Sequence, residues 1–224
     1  MDASAENQVL KGPIFHFYHV YADGDWLKPV KFHLAALEHS GLKNRLDGFF
    51  YGIVGSEENR ENVKEFLPGE IIAEEETGWE QVTLEKLQEF ADWNDGKILY
   101  AHTKGAWNNT DLGTAWRESM TYDNIIRWRE IVPKLDSYDG AGAFWLQSSE
   151  PEHREHRFFF AGNFWWANAH YIRKLPELKY DNRYQAEGWM GLTDNPNMYV
   201  LRHGLSYWGN FAPPDFKFPL MKSL

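Results

Sequence analysis

The chain has 224 residues, with 33 acidic side chains against 23 basic ones, a formal charge of −10, no cysteine, and 17% aromatic residues including 11 tryptophans. One domain of ordinary size is expected. Without cysteine there is no disulfide scaffold, zinc ribbon, thiol nucleophile or iron–sulfur centre, and a cytoplasmic location is expected. The acidic balance also disfavours a partner held by neutralising many phosphates, so nucleic acid is not the expected ligand.

No apolar stretch approaches the ~20 residues needed to span a bilayer. Residues Met1 to Gly12 carry Asp2 and Glu6 and lack an apolar h-region, so they read as a flexible lead-in rather than a signal peptide. From Pro13 to Tyr21 a β-rich aromatic run predicts a buried strand, closed by the turn Ala22-Asp23-Gly24-Asp25. Trp26 to Ser40 then shows helical spacing in Leu27, Val30, Leu34 and Leu37, with Gly41 placed as a C-cap. Leu46 to Val54 repeats the strand pattern and runs through Gly55-Ser56 into an acidic helix start at Glu57.

Ile71 to Glu76 reads as a short strand, Thr83 to Ala91 as a helix with Leu84, Leu87 and Phe90 inward, and Lys97 to Ala101 as a further strand. Asp111 to Leu135 reads as one long helix and Asp139 to Leu146 as another strand. Beyond Ser148 come a charged loop, Glu150 to Arg157, an aromatic block, Arg157 to Trp166, a helix near Asn168 to Leu175, and an aromatic, Pro-rich tail. The alternation predicts an α/β fold in a single domain: a lead-in over 1–12, a nucleotide-binding half over 13–148, and an aromatic, loop-rich half over 149–224.

In open α/β sheets ligands collect at the carboxyl ends of strands, so the strand-end residues are the first candidates. Asp23-Gly24-Asp25 is a D-x-D pair able to offer hard oxygen ligands, or simply a solvated turn. His102-Thr103-Lys104-Gly105 can grip a diphosphate without a metal, or be an ordinary loop with an exposed lysine. In Ala186-Glu187-Gly188-Trp189 a partly desolvated carboxylate can accept a proton from a hydroxyl, or act only as a helix N-terminal acid. In Gly162-Asn163-Phe164-Trp165-Trp166 the adjacent rings offer faces to a sugar, or pack in the core. Strand alternation sends Trp165 and Trp166 to opposite sides, which predicts that one of them faces a cleft or a neighbouring segment. His153 and His156, flanked by Glu152 and Glu155, form an H-x-x-H better read as a solvated loop than a zinc site. No P-loop, dinucleotide fingerprint or nucleophile elbow occurs.

The order of Ile98 to Ala106, Trp116-Arg117 with Met120, Tyr138-Asp139-Gly140, Gly162 to Ala167 with Tyr171 to Pro176, and Ala186 to Trp189 resembles small GT-A-type glycosyltransferases of bacteria and phages. The resemblance spans Phe15 to Gly191. It implies a Rossmann-like mixed sheet flanked by helices that binds a nucleotide sugar, such as a UDP-sugar, and moves the sugar to an acceptor hydroxyl. His19, Tyr21, Asp23, His102, Thr103, Lys104, Arg117 and Asp139 would then bind the donor. Gly162, Asn163, Trp165, Trp166 and Trp189 would shape the sugar and acceptor cleft, and Glu187 would be the general base of an inverting displacement. The family's D-x-D metal motif is not evident. Asp139 is the single best candidate ligand for a manganese or magnesium ion, and Lys104, His102 and Arg117 are the alternative source of positive charge. A non-catalytic carbohydrate-binding protein and a glycosyltransferase acting on phage DNA bases are the competing expectations.

Overall fold

The structure is a computed structural model, and it describes residues 11–107, 110–147 and 158–203. Residues 1–10 of the expected lead-in, the charged loop with its H-x-x-H, and the tail beyond His203 lie outside the described residues.

Strands β1 (Ile14–Tyr21), β2 (Gly48–Val54), β3 (Glu70–Glu75), β4 (Lys97–His102), β5 (Gly140–Ala143), β8 (Trp165–Asn168) and β9 (Met198–Arg202) form one seven-stranded sheet in the order β3-β2-β1-β4-β8-β5-β9. Pairing is parallel from β3 to β4 and between β5 and β9, whereas β8 runs antiparallel to both its neighbours. β6 (Trp145–Gln147) and β7 (Phe158–Phe160) make a separate antiparallel pair. The expected α/β class, a mixed sheet flanked by helices, is what the chain adopts. Among the described residues no helix is long and apolar enough to cross a membrane.

Helices α1 (Leu27–Ser40), α2 (Glu57–Phe66), α3 (Gln81–Trp93), α4 (Asp111–Thr121), α5 (Trp128–Ile131), α6 (Ala169–Ile172) and α7 (Tyr184–Gly188) supply the covering layers. Period-2 alternation decides which strand residue meets which layer. Phe17, Ile98, Tyr100 and Trp165 pack with Leu84, Leu87 and Ala91 of α3 and with α6 on one face. Ile14, Leu99 and Trp166 pack with Phe32, Ala36 and Leu37 of α1 and with Trp128 and Ile131 of α5 on the other. α1 ends as its sequence predicts, with Gly41 at φ 72° and its N–H on the Glu38 carbonyl.

Two long elements are broken where unbroken ones were expected. The 111–135 helix stops at Thr121, passes through a π-helical segment at Tyr122–Ile126, and resumes only as the single turn of α5 followed by a 3₁₀ segment, Val132–Asp136. The physical reason lies in competing partners: the Asn124 carbonyl accepts from the Trp166 indole, and the Arg127 N–H bonds Tyr122, five residues back. The 139–146 strand is split at Phe144, whose φ of 61° turns the chain from β5 into β6.

The aromatic excess is largely core. Trp128, Trp165, Trp166 and Trp189 are fully buried, as are Phe160 and Phe164. Trp165 stacks on Tyr100 at 5.0 Å and donates its indole N–H to Asn163 Oδ1. Trp166 lies in the opposite layer. Of the two alternatives, a cleft or a neighbouring segment, the structure shows the second: β8 is an interior strand with helices over both faces, so both rings pack inward and neither shapes a sugar cleft. Trp189 is likewise sealed, its N–H on the Pro176 carbonyl, and does not line a sugar cleft.

Four histidines sit beneath the sheet surface with their pKa values held down by burial. His16 and His33 share a 2.7 Å contact between their Nε2 atoms, and burial brings His16 to about 4 and His33 well below its usual value. His19 is lowered to about 4 and His102 to about 3, again chiefly by desolvation. Such groups bind protons in the unfolded chain before they do in the fold. Stability is therefore expected to be full above about pH 6.5 and to fall as pH drops toward 4, with Glu80, whose pKa burial raises, giving a smaller opposing contribution. Urea unfolding at pH 7, 6, 5 and 4 measures this. Stability that is flat or rising over that range contradicts the buried neutral histidines.

Candidate active site

The carboxyl ends of β1 and β4 and the amino end of antiparallel β8 meet at one edge of the sheet. A cleft of about 370 Å³ opens there, lined by Glu80, His102, Lys104, Trp116, Phe159, Ala161, Gly162, Asn163, Arg183, Tyr184 and Glu187.

Its floor is a polar chain anchored on Glu80, which sits at the N-terminus of α3. Glu80 Oε2 accepts from the Tyr100 hydroxyl at 2.9 Å and from Asn163 Nδ2 at 2.7 Å. His102 Nε2 bonds the Gly162 carbonyl at 3.0 Å, which makes Nε2 the donor. Nδ1 of the neutral ring then carries a lone pair facing Glu80 Oε1, 3.6 Å away. Burial raises the Glu80 pKa, while the hydrogen bonds from Tyr100 and Asn163 act to lower it. Behind it, His19 Nδ1 meets Thr83 Oγ1 at 2.8 Å. Nothing in the sequence pattern singles out Glu80, which sits in Gly78-Trp79-Glu80 three positions before Thr83, the residue expected to open the helix.

Gly162 organises the wall. Its N–H donates to Glu187 Oε1 while its carbonyl takes His102, so one glycine fixes two functional side chains. Its φ of 86° and the Met120 Sδ only 2.5 Å from where a Cβ would stand both demand glycine. Asn163 follows at φ 55°, in the left-handed region an asparagine tolerates. Among the described residues, Glu187 Oε2 has no hydrogen-bond partner.

Lys104 stands in the same cleft, its Nζ 3.9 Å from the centroid of the Trp116 ring. Desolvation lowers its pKa, while the charges of Glu187 and Glu80 act to hold it up. Arg183 adds a second cation at the rim, over the Tyr184 ring at 4.8 Å. Thr103 does not reach the cleft. Its hydroxyl accepts from the Tyr21 N–H at 2.8 Å and ties the strand-end turn to β1.

The remaining expected donor residues lie elsewhere. Asp23 is spent on α2: its Oδ1 accepts from the Ser56 N–H and from Asn59 Nδ2, and these bonds lower its pKa. It acts as a helix tether rather than a cation ligand. Arg117 points to the other side of the 103–106 turn, reaching the Lys104 carbonyl at 2.7 Å. Asp139 precedes β5, which runs parallel to β4, so it sits at the opposite sheet edge beside Asn168 and Asn197. Asp139 is thus neither a donor contact of this cleft nor its metal ligand. Among the described residues no three His, Cys, Asp or Glu side chains come together as a metal-holding group. With Glu80 Oε2 and Glu187 Oε1 already hydrogen-bonded and a lysine in the same space, the one remaining oxygen of each carboxylate falls short of the donor set that a manganese or magnesium ion needs.

Fold and cleft define a mixed α/β protein with an acid–cation pocket at the carboxyl edge of its sheet. Residues 17–209 match the profile of the family described as Domain of unknown function (DUF8361), and the chain belongs to that family. No curated protein matches it. Among solved structures it is similar to HddC from Yersinia pseudotuberculosis, with 8% identity over 84% of this chain and 89% of that one and a TM-score of 0.48. It is also similar to a CMP:2-keto-3-deoxy-manno-octonic acid synthetase complexed with CTP, with 9% identity, coverage of 86% and 90%, and a TM-score of 0.49.

Proposed function

We propose that the chain is a glycosyltransferase that moves a sugar from a nucleotide donor to an acceptor hydroxyl. The observation that carries this reading is the pairing of Glu187, oriented by the Gly162 N–H, with the half-buried Lys104 across one strand-end cleft. Both halves of the chain contribute: Glu80, His102, Lys104 and Trp116 come from the half proposed to bind the nucleotide, and Phe159 to Glu187 from the half proposed to take the acceptor.

In this mechanism the acceptor O–H gives its proton to Glu187 Oε2 as its oxygen bonds the anomeric carbon. The bond from that carbon to the phosphate oxygen breaks, and its electron pair leaves with the nucleoside diphosphate. Lys104, with Arg183 at the rim, meets the negative charge that develops there, the task a metal performs in other sites. Attack opposite the leaving group inverts the anomeric configuration. Glu80 and His102 hold Gly162 and Asn163 in place, and thereby Glu187, rather than touching the reacting atoms. The rings of Trp116, Phe159 and Tyr184 take the place the sequence suggested for Trp165 and Trp166 as faces for the sugar.

Lys104→Ala is expected to weaken nucleoside diphosphate binding by about tenfold or more, as loss of one partly desolvated charge contact does. Calorimetry with UDP, GDP, ADP and CDP, with and without manganese, measures it. Affinity for the best ligand that is unchanged by the substitution contradicts the role of Lys104.

A further inference from the structure

A second hollow, of about 410 Å³, lies between α1 and α4 and shares no lining residue with the cleft. It is bordered by Asp25, Leu27, Lys28, Lys31, Phe32, Arg117 and Glu118. Its volume falls in the range of small-molecule sites.

Arg117 is the unusual member. It is only 3% exposed, yet its guanidinium is incompletely satisfied: Nη1 donates to the Lys104 carbonyl, and Nε is buried with no hydrogen-bond partner. An orphaned charged donor in such a place is costly unless something supplies an acceptor. The same hollow receives the start of α1, a 14-residue helix that carries no side-chain cap and no acidic residue in its first turn. Helix N–H groups left in this way attract anions, and here Lys28 and Lys31 stand beside them.

The acids matter to the choice of ligand. Asp25 and Glu118 would repel a bare anion, but carboxyl oxygens beside a cationic pocket accept readily from sugar-like hydroxyls. Leu27 and the Phe32 ring offer an apolar wall.

We propose that this hollow binds the phosphate monoester of a small polyhydroxylated molecule, of hexose phosphate size. The phosphate sits on Arg117, Lys31 and the α1 N-terminus, and the hydroxyls face Asp25 and Glu118. Because Arg117 also grips the Lys104 carbonyl, a ligand that fixes the guanidinium steadies the turn that carries Lys104 into the cleft. The site stands independently of the glycosyltransferase reading.

Calorimetry with a hexose 6-phosphate and with inorganic phosphate tests the proposal on the full chain. One-to-one binding of the hexose phosphate is expected, at least about fivefold tighter than phosphate. Lys31→Glu, a partly exposed change compatible with folding, should weaken it by about fivefold or more, and Lys104→Ala should leave it within about twofold. Absence of saturable binding, no preference over phosphate, indifference to Lys31→Glu, or loss on Lys104→Ala would each overturn the site.

Discussion

Glu187→Gln is expected to lower the turnover of sugar transfer on the order of 10²- to 10⁴-fold, the usual contribution of a positioned general base. The substitution keeps the size of the side chain and leaves an oxygen able to accept from the Gly162 N–H, so the wall of the cleft should survive. It removes only the capacity to take a proton. Nucleoside diphosphate affinity should stay within a few-fold of wild type, since Lys104 and Arg183 are untouched. A drop in kcat with little change in donor binding is therefore the expected signature, measured by steady-state kinetics together with calorimetry. Equal losses in both would instead mean that Glu187 holds the donor.

Trp166→Ala is expected to destabilise the fold by about 3–5 kcal/mol, the range for removing a large buried ring. The side chain is fully buried between the sheet and the α1–α5 layer, and its N–H satisfies the Asn124 carbonyl within the π-helical segment. Both the cavity and the orphaned carbonyl add to the cost. Urea unfolding at neutral pH reads the change directly. A variant of unchanged stability with impaired sugar binding would restore Trp166 to a ligand-facing role.

That contrast marks where sequence reasoning reached and where it stopped. The strand–helix alternation from Ile14 to His102 was legible because each element there carries its own period and its own stop signals, such as Gly41 and Gly55. The breaks at Tyr122 and Phe144 were hidden, because they arise from tertiary partners, the Trp166 indole and the β9 edge, rather than from local propensity. Trp165 and Trp166 misled for a related reason: alternation tells which way a side chain points, but not whether that side of the sheet is covered. Asp139 misled because it opens its strand rather than closing it, and β5, parallel to β4, presents its amino end away from the cleft.

Glu187, Lys104, His102, Gly162 and Asn163 do converge on one cleft, although they are spread over more than 80 positions of the chain (residues 102–187). Their residue types announced them as strand-end or turn chemistry. Glu80 did not announce itself, since an acid ahead of a helix is commonplace and only the fold brings it beneath Asn163 and Tyr100. Arg183, Trp116, Phe159 and Tyr184 were equally unmarked as cleft residues.

The most direct test of the central claim follows the phosphorus-containing products when the wild-type protein meets a panel of nucleotide sugars with a mixture of glycan acceptors and, in parallel, nucleoside triphosphates with a panel of sugar phosphates. Phosphorus NMR is expected to show release of a nucleoside diphosphate from one donor, abolished in Glu187→Gln. Pyrophosphate formed from a nucleoside triphosphate and a sugar phosphate, with no diphosphate released from any nucleotide sugar, would contradict glycosyl transfer and assign the cleft to nucleotidyl transfer instead.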